Sequence, residues 1–356
     1  NISHSAICAE AEKFGPFYTE GYWDYRQYDV LNTKYILIWG ADPLAANRQV
    51  SYYSSVWGDI VGKATIAVVE PRLSATAAKA DEWLPIKPGQ DGALAAAIAH
   101  VLLTKGMWSK EFVGDFKEGK NLFVAGQEVD PETFEEKHTN GIVTFWNLAL
   151  KDKTPEWAAK NTGLPLEQIV RVATDYGKAG SQSMSWVGGG PVMQVRGAYA
   201  SMICHCLNGI TGACDNLGGT LVNNKEYTGK FPNWDDFLDE AAKKGSKMAK
   251  IDHRGRKDFP CINGGKPGSA VVTNRSADGI LKADPYDIKV AIAYMNNFNF
   301  SCTQPERWNQ ALAMIPFLVH ITTNASEFSW FADILLPDTH HLFEKWGWVK
   351  SSANGH

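Results

Sequence analysis

The sequence lacks any run of about 18 apolar residues, the length a helix needs to cross a bilayer, so no direct membrane span is expected. It lacks a basic excess: 35 Lys and Arg against 39 Asp and Glu leave a net charge of −4, which gives no reason to expect nucleic acid. It lacks a Cys-x-x-Cys pair. The cysteines are Cys8, Cys204, Cys206, Cys214, Cys261 and Cys302, so neither a zinc knuckle nor a conventional iron–sulfur cluster can be assembled from them. Cys204 and Cys206 flank His205, but that spacing on a helix points the sulfurs apart. Gly-x-Gly-x-x-Gly is absent, which disfavours an ordinary nicotinamide site. An initiating Met is also absent, and no closing element precedes His356; the expectation is an internal piece of a longer chain.

What is present suits a large α/β protein. With 356 residues there is room for two domains, and 13 Trp and 32 Gly suit a protein that wraps a large planar ligand. Tyr35–Gly40 and Thr65–Glu70 are short apolar runs ended by turn residues, the pattern of buried parallel strands. A helix over 45–56 between them completes a βαβ unit. Ligands bind at the carboxyl ends of such strands, and an acidic residue such as Glu70 commonly holds a ribose diol there. The bland alternative is a βαβ unit that binds nothing. A third strand lies within 80–91. Asp91 either pairs with the N1–H and 2-amino group of a guanine or caps a helix over 93–105, and both roles can coexist.

Residues 106–180 read as decoration, with short helices over 110–116 and 155–161, an amphipathic one over 166–178, and a solvated charged face over 130–138. A strand from Ser183 runs into Gly188-Gly-Gly190, where the backbone could approach a phosphate or a ring closely. A long apolar helix over 195–211 follows. Residues 223–280, polar and rich in Lys, Asp and Gly, read as a surface excursion. Strands over 288–294, 316–321 and 331–337, with a helix over 306–314, then repeat the first rhythm. The domains expected are 1–222 and 223–356.

The most reactive stretch is the first. Cys8 can be a soft metal ligand, a nucleophile or merely a small buried hydrophobe. His4, Ser5 and Lys13, with Tyr18, Tyr22 and Tyr25 beyond, would give it donors for an oxyanion.

In order, Tyr35-Ile-Leu-Ile-Trp-Gly-Ala-Asp-Pro43, Val68-Val-Glu-Pro-Arg-Leu-Ser74 with Ala80-Asp81, Lys87-Pro-Gly-Gln-Asp-Gly-Ala93, Gly212–Gly219 and Phe331-Ala-Asp-Ile-Leu-Leu-Pro337 resemble the catalytic subunits of the molybdenum bis-pterin (dimethyl-sulfoxide-reductase-type) oxidoreductases. The resemblance implies two doubly wound parallel-sheet domains that sandwich a bis-pterin cofactor, within a larger four-domain subunit. It implies molybdenum or tungsten bis(molybdopterin guanine dinucleotide), with Cys8 as metal ligand. Trp39, Gly40, Asp42, Glu70, Pro71, Arg72, Gly89 and Asp91 would hold one guanine dinucleotide. Gly188, Gly189, Gly190, Asn297, Thr323 and Asn324 would face the other pterin half.

Within the superfamily, His4-Ser-Ala-Ile-Cys-Ala-Glu-Ala-Glu-Lys13, Leu336–Gly347 and Asp284–Val290 look like the respiratory arsenate reductases. That group implies reduction of arsenate to arsenite by oxygen-atom transfer to Mo(IV), with His4, Ser5, Lys13 and Tyr25 lining the substrate pocket and His4 carrying protons. It further implies a [4Fe–4S] cluster in the parent chain outside this segment, a ferredoxin-like iron–sulfur electron-transfer subunit, and a periplasmic, anaerobic respiratory setting. Reduction of thiosulfate, polysulfide, tetrathionate or another oxyanion, or arsenite oxidation, are alternatives in the superfamily. A non-catalytic nucleotide-binding module is the alternative of another class.

Overall fold

The structure, a computed structural model, describes residues 2–4, 10–47, 49–222, 232–259 and 271–339. They fall into two compact units, one within Cys8–Glu226 and the other comprising Ile2–His4 and residues within Tyr227–Lys350.

The first unit is built on β1 (Tyr35–Trp39), β2 (Thr65–Val69), β3 (Glu82–Leu84) and β4 (Ser183–Val187), all parallel, in the spatial order β3-β2-β1-β4. Strand β1 is buried along its whole length because both faces of the sheet are covered. Its side chains alternate between two cores. Leu37 and Trp39 join Ala67, Val69 and Leu84 in one; Ile36 and Ile38 join Ile66, Val68, Met184 and Trp186 in the other. The first core is filled by α2 (Asp91–Thr104), whose Leu94–Leu103 run is buried on every side, as expected of a helix that is apolar all round. The second is closed by Tyr53, Trp57 and Ile60 of α1 (Val50–Ile60).

Several sequence expectations are corrected. The helix expected over 45–56 starts only at Val50. Residues 106–180 are no decoration: Trp108, Phe116, Phe123, Phe134 and Trp146 belong to the same core as α2. The helix expected over 110–116 is instead a strand, Gly114–Phe116, paired antiparallel with Phe134–Glu136 from the stretch read as a solvated face. Gly114 explains this, because its φ of +108° favours glycine and a Cβ there would collide with the Glu135 carbonyl.

Near its start the chain forms a helix, Glu10–Glu20, despite Pro16 inside it. Proline has no N–H for the carbonyl four residues back. That carbonyl, Glu12 O, accepts a hydrogen bond from the buried Ser201 hydroxyl at 3.0 Å instead. Ser201 lies on the helix Gly197–Thr211, and Gly15 lets the two helices touch: a Cβ there would lie 2.2 Å from Ser201 Oγ.

The second unit carries a parallel sheet of Ile334–Pro337, Leu318–Thr322 and Ala291–Tyr294, in that order. One face packs on Trp308, Ala311 and Leu312 of the helix Pro305–Ala313, and on Ala277 and Ile280 of the helix Ser276–Leu281. That last helix falls within the stretch read as a surface excursion, where its buried small residues gave no periodic signal. Ile292, Tyr294, Ile334 and Leu336 on the other face are exposed.

Ser201→Ala should destabilise the protein by about 0.5–1.5 kcal/mol, the usual net worth of one intramolecular hydrogen bond. Chemical denaturation checks this; an unchanged midpoint would show that the helix tolerates Pro16 without the hydroxyl.

Candidate cofactor and substrate site

Chain order creates a crevice. From β1 the chain moves to β2 and β3 on one side, then returns to place β4 on the other side of β1. The exits of β1 and β4 therefore diverge at a topological switch point, where open parallel sheets bind their ligands. The exits are nonetheless stitched together at their base. Gly188 N donates to Trp39 O at 2.8 Å, and Gly190 N donates to Gly40 O at 3.0 Å. Gly40 has φ +53°, and a Cβ on it would meet Gly190 Cα at 2.6 Å. Only bare backbone fits on both sides.

Above this floor opens a cleft of about 420 Å³, lined by residues that include Tyr25, Gly40, Asp42, Glu70, Arg72, Gly188 and Gly189. Seven residues expected at a site thus share one cleft. Gly188–Gly190, expected to face the other pterin half with Asn297, Thr323 and Asn324, are packed against Gly40.

The acidic groups differ in their engagement. Asp42 Oδ1 accepts from Thr76 N at 3.0 Å and Thr76 Oγ1 at 2.6 Å, and Arg72 Nη2 lies 3.8 Å from Oδ2. Asp42 therefore fixes the loop as well as lining the cleft. Burial pushes the Glu70 carboxyl up, opposed by Arg72 and reinforced by Asp42. Pro71 beside it is exposed. Gly89 turns the chain with φ +81°.

Trp39 must be removed from the cofactor set. Its side chain is fully enclosed in the core, where Nε1 donates to Ser185 Oγ at 2.8 Å. Strand alternation, invisible in a linear motif, turns residue 39 toward α2. Asp91 is also not the expected cap: the helix begins at Asp91 itself, with Gln90 in the capping position.

Of the residues expected to line a substrate pocket, Lys13 and Tyr25 come together, with Lys13 Nζ 4.4 Å from the ring centroid of Tyr25. This is a cation–π distance. His4 is exposed; Ser5 and Cys8 lie outside the described residues. In the second unit, Asn297 Nδ2 donates to Glu327 Oε2 at 2.7 Å, and its Oδ1 accepts from Phe328 N at 3.1 Å. Thr323 and Asn324 are exposed in the loop after the strand Leu318–Thr322.

Sequence reasoning missed Glu12, Arg26, Tyr28, Asn47, Trp186 and Met193, all of which line the cleft. For Tyr28 and Trp186 a signal existed in their aromatic character, for they stack at 4.7 Å. Arg26 carried no such signal, being a single cation among aromatic residues.

Burial raises the Asp91 carboxyl to about 6, partly opposed by backbone hydrogen bonding, with Glu70 adding to the rise. A raised folded-state pKa means stability that is present in acid and lost as pH climbs through that value. Asp91→Asn should therefore be near neutral at about pH 4 and stabilising by roughly 1–3 kcal/mol above about pH 7. Thermal melts at both pH values check this, and an offset independent of pH would contradict it.

Residues 7–352 match the molybdopterin oxidoreductase family model. The chain is 56% identical over 356 residues to the arsenate respiratory reductase molybdopterin-containing subunit ArrA of Shewanella sp. (strain ANA-3), covering all of this chain and 42% of that protein. It is 53% identical to the subunit of the same description from Chrysiogenes arsenatis, with the same coverage. The chain thus spans less than half the length of these relatives. Among solved structures it resembles acetylene hydratase from Pelobacter acetylenicus, with a TM-score of 0.68 at 16% identity, over 94% of this chain and 45% of that one. That likeness speaks to fold alone. With strand-end cleft, glycine stitching and family match in agreement, the chain belongs to the molybdopterin oxidoreductases.

Proposed function

We propose that this chain is part of a molybdenum-dependent oxyanion reductase that converts arsenate to arsenite. The observation that carries the reading is the 56% and 53% identity, over the whole chain, to two arsenate respiratory reductase subunits. The juxtaposed ammonium and phenol of Lys13 and Tyr25 support it, because a small, highly charged oxyanion needs such donors.

The cleft fits one guanine dinucleotide end of the pterin cofactor in its donor chemistry. Asp42 and Glu70 offer carboxylates for ribose or base donors, and the largely exposed Arg72 offers a guanidinium for phosphate. The bare backbone at Gly40 and Gly188 permits close approach. Asp91 would serve the guanine edge, and Asn297, Thr323 and Asn324 would serve the second dinucleotide from the other unit. Cys8 would be the metal ligand. The cofactor, when bound, would supply the two-electron oxygen-transfer chemistry.

The residues of the chain supply position, field and protons. Lys13 would neutralise oxyanion charge, and the Tyr25 ring beneath its ammonium limits where that charge can sit. His4 would deliver protons as the oxyanion is reduced. Electrons would come from a ferredoxin-like iron–sulfur subunit through a [4Fe–4S] cluster elsewhere in the parent chain. The assembled enzyme would work in the periplasm.

Purified full-length protein with its cofactor should reoxidise a reduced viologen dye on addition of arsenate, and Lys13→Met should lower kcat/KM for arsenate on the order of 100-fold. Reoxidation by thiosulfate or tetrathionate but not by arsenate would overturn the substrate assignment.

A further inference from the structure

We propose that Arg26 is a positioning residue for the oxyanion-binding pair Lys13 and Tyr25, clamping the loop that carries Tyr25 to the end of the helix that carries Lys13. This deepens the reading above and rests on it.

The helix Glu10–Glu20 ends at Gly21, whose φ of +73° turns the chain and whose N–H donates to Phe17 O at 2.9 Å. Five residues later Arg26 closes the loop. Its Nε donates to Glu20 Oε2 at 2.6 Å, tying it to the helix end. Its Nη1 donates to Asp24 O at 3.1 Å and, at 3.5 Å, to Tyr22 O. The guanidinium also lies 4.6 Å from the Tyr22 ring centroid. One planar group thus holds the helix terminus and two carbonyls of the loop. Such a fork can do this where an ammonium cannot.

The clamp is built in, not a surface ion pair. The Arg26 side chain is 3% exposed and that of Glu20 is 21% exposed. Burial pushes the Glu20 carboxyl up, and Arg26 pulls it back down. Behind them His205 is fully buried, with Nδ1 3.8 Å from Glu20 Oε1. Burial, aided by the charge of Arg26, drives the His205 pKa down to about 3. The imidazole is therefore neutral at working pH, and Arg26 is the cation that answers Glu20. Asp24 Oδ1 accepts from Tyr25 N at 2.8 Å, which fixes the last step of the loop. Tyr25 then presents its ring to Lys13 Nζ at 4.4 Å. Tyr25 and Arg26 both reach the cleft.

The test is a double-mutant cycle in the full-length holoenzyme with arsenate as the oxyanion. Arg26→Lys keeps a cation for Glu20 but loses the fork. It should raise KM for arsenate about tenfold, with kcat within about threefold and molybdenum content unchanged. In a Lys13→Met background, which itself raises KM, Arg26→Lys should add less than about twofold. Full multiplication of the two effects would overturn the clamp, because Arg26 would then act independently of Lys13. Unchanged KM in Arg26→Lys, or loss of molybdenum, would overturn it as well, the latter by showing a merely structural role. A Lys13→Met variant with normal KM would remove the substrate reading itself, and with it the purpose of the clamp.

Discussion

The molecule depends on a close contact between two stretches of bare backbone. Gly40 leaves β1 and Gly188–Gly190 leave β4, and the two exits are hydrogen-bonded at 2.8 and 3.0 Å with no room for a Cβ between them. These strands are neighbours only because the chain runs outward through β2 and β3 and then returns to the other side of β1. Glycine at the join lets the exits meet at their base while their continuations diverge. The cleft above them, with Asp42, Glu70 and Arg72 on its wall, is the consequence. A side chain at Gly40 would separate the exits, misplace Asp42 with its Thr76 partner, and fill the floor of the cleft.

A second contact of the same kind sets the end proposed to bind substrate. The helix Glu10–Glu20 contains a proline, and it is held against the helix Gly197–Thr211 through Gly15 and the Ser201 hydroxyl. Lys13 is fixed by that docking, and Tyr25 by the loop that Arg26 closes. Binding groups on rigid elements with supported loops are placed more accurately than groups on loops alone. Both ends of the site thus rest on helix Gly197–Thr211 and its neighbours, since β4 leads into that helix through Gly188–Val192.

The strands were legible in the sequence because each is a short apolar run ended by glycine or proline, and burial on both faces leaves little else for such runs to do. Of the cleft residues, Glu70 followed from the same reading, since strand ends are where ligands sit, whereas Asp42 and Arg72 came only from the family resemblance. Other features were hidden for definite reasons. The helix Glu10–Glu20 contains Pro16, and Ser201, which satisfies the carbonyl that Pro16 cannot, lies 189 residues from it. Trp39 ended a promising motif, but strand alternation turns it inward to Ser185. Arg26 had neither periodicity nor a neighbouring motif, and its meaning appears only when Glu20, Tyr22 and Asp24 converge on it. The strand at Gly114–Phe116 was hidden because its partner lies beyond an intervening loop.

The most direct measurement is hydrogen–deuterium exchange on full-length protein with and without its cofactor, followed at the amides of residues 40–47 and 186–193. Cofactor loading should slow exchange in both stretches together, because both line the cleft that would hold one dinucleotide end. Equal exchange in the two forms at these positions, with slowing elsewhere, would contradict it.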